Sequence, residues 1–534
     1  MSGDGPASRT YTIETSMISS SGKVVINKLL QFEKEAVLLS EENIFRELKK
    51  LDIIYCKNEF YKQNINGIIY NLGTHIKSLK LLLFAKDRLE ILHQDKPLNK
   101  LSYDLGNSYL SIADIRCGHP PEILCLLSNI DYRKARKYFY ETDEGTFSPQ
   151  AYTNLGNILE KYERNYEAIL FYDKALKKNH DFGMALGNKG IALTYYYNLL
   201  KKNPDILFEA RDLITKSLLA LDTVNIGGQA ALDSFKRYLT SLDNFLSKRK
   251  RTEASLKLNP TAYQAFCSNK FLYLNLCFNC IKCNNGYKDN IFPRFVDNIK
   301  DSSTEERFKY HSFSKKMYFS IKTLNQILED YVTARHIYFS AQNNRFTNVD
   351  KQTGYYSVLD YCRNSIYFGY IKTSYIKLFN ILDKIARLAF YNYGLGQKTI
   401  YIDNLLNPSF KAIILKNNNR GLLALHSLAW DFAQDGIYHH LKIIRNFLTH
   451  EFLDIKIDMF SNSNKKEELF ENHHLSEALL SDYLDELFQI VKAALLYFIQ
   501  AINKDYSDLT HDENKPILPL PITKQKEIFK GIKL

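Results

Sequence analysis

A short tripeptide that ends in glycine recurs four times in the first 190 residues of the chain. The copies are Asn71-Leu72-Gly73, Asp104-Leu105-Gly106, Asn154-Leu155-Gly156 and Asn188-Lys189-Gly190. The glycines are separated by 33, 50 and 34 residues. A spacing near 34 residues is typical of repeated helix pairs that stack on one another. The longer interval contains Gly118-His119-Pro120-Pro121, which breaks helices, and it therefore indicates one repeat plus an insertion.

The third copy shows how such a unit would pack. Small and aromatic residues stand at the positions where paired helices meet, namely Tyr152, Leu155, Gly156, Ala168, Tyr172 and Ala175. Because Gly156 has no side chain, we expect the paired helix to approach closely at Ala168. We expect Tyr172 and Ala175 to bury against the next unit.

These features resemble the tetratricopeptide repeat family over roughly residues 50–222. The pattern departs from that family at His180, where a proline often closes the unit, and at Lys189, which replaces a leucine. The resemblance implies a helical solenoid with a concave groove for a protein or peptide partner. A scaffold that only positions the next domain is the alternative interpretation.

The composition fits a helical protein of about three domains. A hydrophobic share of 45% is enough to bury a core, which excludes a wholly disordered chain. Only 12 prolines and 22 glycines in 534 residues make a turn-rich all-β fold unlikely. The net charge of +12 permits a polyanionic partner such as nucleic acid but does not require one.

Several features predict a cytoplasmic protein. No apolar run approaches the roughly 18–20 residues that a membrane span needs. The segment Met1–Glu14 is polar and lacks the apolar core of a signal peptide. Eight cysteines in so long a chain do not suggest a disulfide framework, and we expect reduced thiols.

A basic run follows the helical stretch Ala230–Leu246. It consists of Lys248, Arg249, Lys250 and Arg251. These side chains could bind RNA phosphates. The alternative is a solvated helix end, where cations favour the C-terminal dipole.

Three cysteines, Cys277, Cys280 and Cys283, form a C-x2-C-x2-C run, and Cys267 lies ten residues upstream. Thiolates at this spacing can bind zinc or an iron–sulfur cluster. We interpret them as ordinary small thiols and expect no metal site, because zinc sites normally draw on two separated ligand pairs; a metal site is the alternative.

The last third of the chain has the periodicity of a helical bundle. Gly394-Leu395-Gly396 is expected to end the longest of its helices. The predicted helices are Met317–Gln342, Tyr355–Tyr393, Leu422–Phe432, Ile437–Phe452 and Ser476–Ile502. Asp383-Lys384 is expected to form a structural pair in this bundle.

The helix Ile437–Phe452 contains Arg445-Asn446-Phe447-Leu448-Thr449-His450, an arginine and a histidine separated by four residues. This motif resembles the R-x4-H signature of the HEPN family. Tyr375–Ala386 and Ala334-Arg335-His336 resemble helices of a HEPN subfamily that follows tetratricopeptide repeats, so that the resemblance covers roughly residues 255–503. It implies a homodimer in which two motifs face one cleft, and a ribonuclease of prokaryotic antiphage defence or toxin–antitoxin systems.

The residue types suit RNA cleavage. Histidine as a residue type titrates near neutral pH, so His450 can act as general base or general acid. Arg445 supplies a fixed cation for a phosphate, and Asn446 can donate or accept a hydrogen bond. Because the nucleophile is the substrate's own 2′-hydroxyl, no metal or cofactor is required, and RNA rather than DNA is the expected substrate.

Each residue also has a structural interpretation. Arg445 can be a surface cation, Asn446 can simply orient Arg445, and His450 can end the helix where its dipole favours a cation. Five residues of α-helix turn through about 500°, so Arg445 and His450 are about 140° apart and do not share a face of one ideal helix. The alternative function is a non-catalytic adaptor whose bundle only dimerises or binds RNA.

The sequence thus predicts an all-α protein, with a tetratricopeptide-like solenoid followed by a HEPN-like bundle. The predicted segments are a flexible N-terminus (1–25), the repeats (26–222), a connecting region (223–312), the bundle (313–503) and a basic tail with prolines (504–534).

Overall fold

The computed structural model describes ten stretches of the chain. They are residues 20–55, 57–142, 145–200, 205–247, 315–343, 348–352, 364–396, 399–451, 453–456 and 474–507. Apart from one small sheet, their regular elements are helices, which confirms the predicted all-α class. The chain divides into two compact units. The first comprises Met1–Ser255 and Trp430–His440, and the second comprises Leu256–Ala429 and Leu441–Leu534.

The described part of the first unit is a succession of helices. A π-helical turn at Thr223–Gly227 precedes its last described full helix. The predicted N-terminal segment 1–25 is helical from Ser20 onward, because Val25 and Ile26 are buried on that helix. The helices are α1 (Ser20–Ala36), α2 (Glu41–Tyr55), α3 (Glu59–His75), α4 (Leu79–Asp95), α5 (Asn99–Cys117), α6 (Ile123–Ser128), α7 (Ile130–Glu141), α8 (Ser148–Lys161), α9 (Asn165–Lys178), α10 (Gly183–Leu200), α11 (Asp205–Leu219) and α12 (Gly228–Leu246).

The four recurring glycines lie at places where helices of this unit pack closely. Each lies on one helix against a side chain of a neighbouring helix. The contacts are Gly73 with Leu82, Gly106 with Phe139, Gly156 with Tyr172 and Gly190 with Ile214. A Cβ atom at Gly156 would lie 2.5 Å from the ring of Tyr172, so a side chain has no room there. The predicted close approach at Gly156 is therefore found.

The atoms nearest to a Cβ at Gly156 belong to the ring of Tyr172. The Tyr172 hydroxyl donates a hydrogen bond of 2.8 Å to the Asn157 side chain, which holds the ring over the glycine. Tyr172 and Ala175 are both fully buried, and the Asn188 side chain on α10 donates to the same Asn157 oxygen at 2.8 Å.

Lys189, which stands in place of an apolar residue in the fourth tripeptide, is buried with 6% of its surface exposed. Its Nζ lies 2.6 Å from a carboxylate oxygen of Asp173. Burial raises the pKa of Asp173, and the charge of Lys189 opposes that rise. The departure from the apolar pattern is thus accommodated by an ion pair, as a buried charge requires.

The helix-breaking insertion contains a disulfide. α5 ends at Cys117, Gly118 adopts a left-handed conformation with φ 70°, and α6 begins at Ile123. This turn places Cys117 against Cys125, and the two form a disulfide. The expectation of reduced thiols is therefore wrong for this pair, because the turn brings together two cysteines that no sequence pattern had paired.

The described part of the second unit consists mainly of helices, and those at Arg420–Phe432 and His439–His450 each have one end in Trp430–His440 of the first unit. A parallel two-stranded sheet pairs Ile455 with Leu475, and both side chains are buried. None of the described helices has the length and apolar character that a membrane crossing needs. The elements are α13 (Lys315–Asn343), α14 (Ile366–Asn392), α15 (Pro408–Asn417), α16 (Arg420–Phe432), α17 (His439–His450), β1 (Asp454–Lys456), β2 (His474–Ser476) and α18 (Glu477–Ser507).

The two ends of α14 show how local sequence sets helix boundaries. The helix begins at Ile366 and not at the predicted Tyr355, because the Ser365 side chain accepts a hydrogen bond from the Phe368 amide and caps the helix. It ends as predicted. Gly394 adopts a left-handed φ of 71°, and the Leu395 amide donates back to the Phe390 carbonyl at 2.9 Å.

A side chain at Gly156 is expected to destabilise the first unit. Gly156→Ala places a methyl group into the Tyr172 ring, and we expect a loss of about 1–3 kcal/mol in the free energy of unfolding. Gly369→Ala on the exposed side of α14 is the control, because it meets no atom within 4 Å. Thermal and urea unfolding measure both. An equal effect of the two variants would contradict the packing described here.

The stability of the first unit is expected to fall as pH rises, because of Asp104 on α5. Burial raises the pKa of Asp104 to about 7, and one of its carboxylate oxygens is buried without a hydrogen-bond partner among the described residues. The folded-state pKa exceeds the unfolded value of about 3.9, so the stabilisation is present at low pH and is lost as pH rises through about 7.

Asp104→Asn should remove this dependence and reduce the loss of stability between pH 5 and pH 8 by about 2 kcal/mol. Asp87→Asn, at an exposed position of α4, is the matched control. Urea unfolding across this pH range measures the effect. If Asp104→Asn and Asp87→Asn give the same pH profile, Asp104 does not titrate in the way described.

Candidate functional site

The candidate site is built on α17. Leu441 and Ile444 are fully buried and define the face that packs into the second unit. The buried Tyr375 hydroxyl donates a hydrogen bond of 2.8 Å to the Leu441 carbonyl, which fixes the helix against α14. The remaining faces of α17 can therefore present the polar residues of the motif.

Arg445 is held in place by three neighbours. Its Nη1 donates to the Asn446 side-chain oxygen at 3.1 Å, and its Nη2 lies 4.0 Å from a carboxylate oxygen of Asp383. The guanidinium carbon lies 5.6 Å from the centre of the Phe379 ring. The side chain is 22% exposed. Its Nε is shielded from water and has no hydrogen-bond partner among the described residues. Arg445 is thus a partly buried, oriented cation and not a freely solvated one.

Asp383 is the site residue that the sequence did not reveal. Burial raises the pKa of Asp383, whereas the hydrogen bond from the Ile402 amide and the charge of Arg445 lower it. The Ile402 bond is 2.9 Å long. The expected Asp383-Lys384 pair is not formed, because Lys384 binds the carboxylate of Asp330. Asp383 and Phe379 are four residues apart on α14 and so share the face that meets Arg445.

His450 is the last residue of α17 and is exposed. The Thr449 hydroxyl donates to the Arg445 carbonyl at 2.8 Å, within the final turn. The structure brings Arg445 and Asn446 together. His450 is not among the partners that the described residues give Arg445. This agrees with the angle of about 140° between the two positions on a regular helix.

Two lysines add positive charge near α17. Lys442 binds the carboxylate of Asp403, which is 43% exposed. Lys372 on α14 donates a hydrogen bond of 3.1 Å to the carbonyl of Leu453, three residues beyond His450. Burial lowers the pKa of Lys372, and Asp454 opposes that effect. No sequence pattern indicated Lys372, because its partner is a backbone atom.

Two groups of predicted site residues lie outside the described residues. The first is the basic run Lys248, Arg249, Lys250 and Arg251, and the second is the cysteine cluster Cys267, Cys277, Cys280 and Cys283. RNA binding by the first stays a prediction, and metal binding by the second stays an untested alternative to ordinary thiols.

The region that contains α17 matches a known protein family. Residues 312–505 match the family model described as LA2681-like HEPN. The match includes α13 to α17 and nearly all of α18, and so contains Asp383, Arg445 and His450. No curated protein and no solved structure matches the chain. The HEPN resemblance of the C-terminal region is confirmed, whereas the tetratricopeptide resemblance of residues 50–222 stays a prediction.

Within the region that matches this family model, Asp383 is expected to matter more for stability than Asp403, although both pair with cations of α17. Asp383→Ala leaves the Arg445 charge and the Ile402 amide without their partner, at a cost of about 1–3 kcal/mol. Asp403→Ala removes an exposed pair worth less than about 1 kcal/mol. Urea unfolding of both variants tests this. Losses of similar size would show that Asp383 does not hold Arg445 in place.

Proposed function

We propose that the protein is a metal-independent endoribonuclease that cleaves RNA by attack of the 2′-hydroxyl. The observation that carries the proposal is the arrangement on α17 of an LA2681-like HEPN domain. An oriented Arg445 and an exposed His450 lie on this one helix.

The chemistry assigns one role to each residue. His450 accepts the proton of the 2′-hydroxyl as the oxygen attacks phosphorus, or donates a proton to the 5′-oxygen as the bond from phosphorus to that oxygen breaks. Arg445 stabilises the charge that develops on the phosphate. Asn446 orients Arg445 through their hydrogen bond of 3.1 Å. The products are a 2′,3′-cyclic phosphate and a 5′-hydroxyl, and the reaction consumes no cofactor.

The positions of Arg445 and His450 favour a site made from two copies of the chain. Arg445 packs against Phe379 and Asp383, whereas His450 is exposed at the end of the helix. The two groups thus have different surroundings within one copy, which favours a second copy as the source of one of them. A homodimer in which two α17 helices face one cleft places an arginine and a histidine from each copy around the substrate.

The helical first unit then serves as the sensor or partner-binding part of the protein. Its repeated glycine contacts support a stacked, tetratricopeptide-like solenoid whose groove takes a protein or peptide segment. RNA cleavage released by such a partner fits a cytoplasmic role in prokaryotic antiphage defence or a toxin–antitoxin system.

His450→Ala is expected to reduce RNA cleavage by at least about 100-fold, because it removes the proton-transferring group. The assay uses the full chain with chelator, RNA and 2′-deoxy substrates, and end-group analysis of the products. His75→Ala is the matched control, because His75 is also an exposed histidine that ends a helix. We expect the control to keep full activity and the 2′-deoxy substrate to stay intact.

Equal cleavage by the wild type and His450→Ala would overturn the proposal, as would cleavage that leaves no cyclic phosphate. RNA binding without cleavage in both proteins would instead support the alternative function, a non-catalytic adaptor whose bundle dimerises or binds RNA.

A further inference from the structure

A short segment belonging to the first unit leads directly into α17. We call this segment, Trp430–His440, the connector. It is a tightly closed turn, because the Tyr438 amide donates to the Asp431 carbonyl at 2.8 Å. A Cβ atom at Gly436 would lie 2.3 Å from that carbonyl oxygen, so only glycine fits. The connector therefore has a defined shape.

A buried charge cluster fixes the connector to the helices of the first unit. Arg164, which directly precedes α9, is fully buried and donates from Nε to Glu167 at 2.8 Å. Its Nη1 binds the carboxylate of Asp431 in the connector. Arg136 on α7 reaches the other oxygen of that carboxylate at 3.3 Å. The Tyr438 hydroxyl donates to Glu167 at 2.9 Å. Both ends of the connector are thus bound to one cluster.

The cluster balances its own charge. Two arginines face two carboxylates, and all four side chains are at most 4% exposed. Burial lowers the pKa of Arg164. The negative charges of Glu167 and Asp431 raise it by more, so the pKa of Arg164 lies above its usual value. Loss of one partner would leave a buried charge uncompensated, so the cluster strongly disfavours other positions of Asp431. The planar fork of Arg164 adds directional demands that an ammonium group lacks.

Aromatic contacts hold the same segment at both of its ends. The guanidinium of Arg133 lies over the Trp430 ring at 3.3 Å. The ring of His440 stacks on Tyr140, with ring centres 6.2 Å apart. The whole connector, and not a single side chain, is therefore held by α7 and the start of α9.

The connector continues directly into the helix that carries the candidate site. α17 begins at His439, immediately after Tyr438, and runs without interruption to His450. Because an α-helix is stiff over three turns, the position of its first turn sets the direction of Arg445 and His450.

We propose that Arg164 is a positioning residue of the ribonuclease site, acting through Asp431 and Tyr438 on the start of α17. The proposal rests on the function proposed above. It makes the first unit a part of the catalytic apparatus and not only a recruiter of partners.

The test uses the full chain and a matched pair of tyrosine variants. Tyr438→Phe removes only the hydroxyl that binds Glu167. Tyr61→Phe removes a hydroxyl that likewise donates to a carboxylate of the first unit, that of Asp52, at 2.8 Å. Hydrogen exchange of the amides at 441–450, unfolding temperature, and the kcat and KM of RNA cleavage are measured for both.

We expect Tyr438→Phe to speed exchange at 441–450 by about threefold to tenfold, the change that one hydrogen bond is worth. We expect it to lower kcat while KM stays unchanged. Tyr61→Phe should leave both exchange at 441–450 and kcat as in the wild type, at a similar cost in unfolding temperature. Arg164→Lys, which keeps the charge but loses the fork, should lower kcat further.

Equal exchange at 441–450 in the two tyrosine variants overturns the positioning role, even if the wild type cleaves RNA normally. Absence of cleavage by the wild type overturns the proposed function instead. In that case the exchange measurement still decides whether the cluster controls α17.

Discussion

The ion pair between Arg164 and Asp431 holds the connector from which α17 begins. It joins residues 267 positions apart, and both are withdrawn from water. Placing charges in such a site is costly unless every partner is present, so the pair specifies one position of the connector more than it adds stability. The connector includes the start of α17, so the helix that carries Arg445 and His450 begins within the first unit.

Further along α17, the contact between Asp383 and Arg445 determines how the arginine of the motif is oriented. Asp383 is buried at an energetic cost that raises its pKa, and Arg445 offsets part of that cost. The same contact withdraws Arg445 from solvent and orients its guanidinium. His450, by contrast, remains exposed at the helix end. An oriented cation and an accessible imidazole on one helix fit the proposed site, which is shared between two copies.

The sequence predicted the features that depend on short-range patterns. The glycine tripeptides located the close helix contacts, Gly394 located the end of α14, and the R-x4-H motif located the helix of the candidate site. These signals work because a missing side chain, a left-handed turn or a helical spacing is encoded within a few residues.

Features that depend on tertiary contacts were not predictable in this way. Asp383 was read as the partner of its neighbour Lys384, whereas adjacent helical residues face different directions and Asp383 meets Arg445 instead. The Arg164–Asp431 pair leaves no local pattern, since an isolated arginine and aspartate look like surface residues. The same holds for the disulfide between Cys117 and Cys125, which depends on the turn between α5 and α6.

Complementation between two variants tests directly whether one RNA site contains residues from two copies of the chain. Arg445→Ala and His450→Ala chains, carrying different tags, are co-expressed, and the mixed dimer is purified and assayed beside each single variant. If the site takes its groups from both copies, we expect two inactive homodimers and a mixed dimer that regains part of the wild-type cleavage. Full cleavage by a wild-type monomer, or a mixed dimer as inactive as its parents, would contradict it.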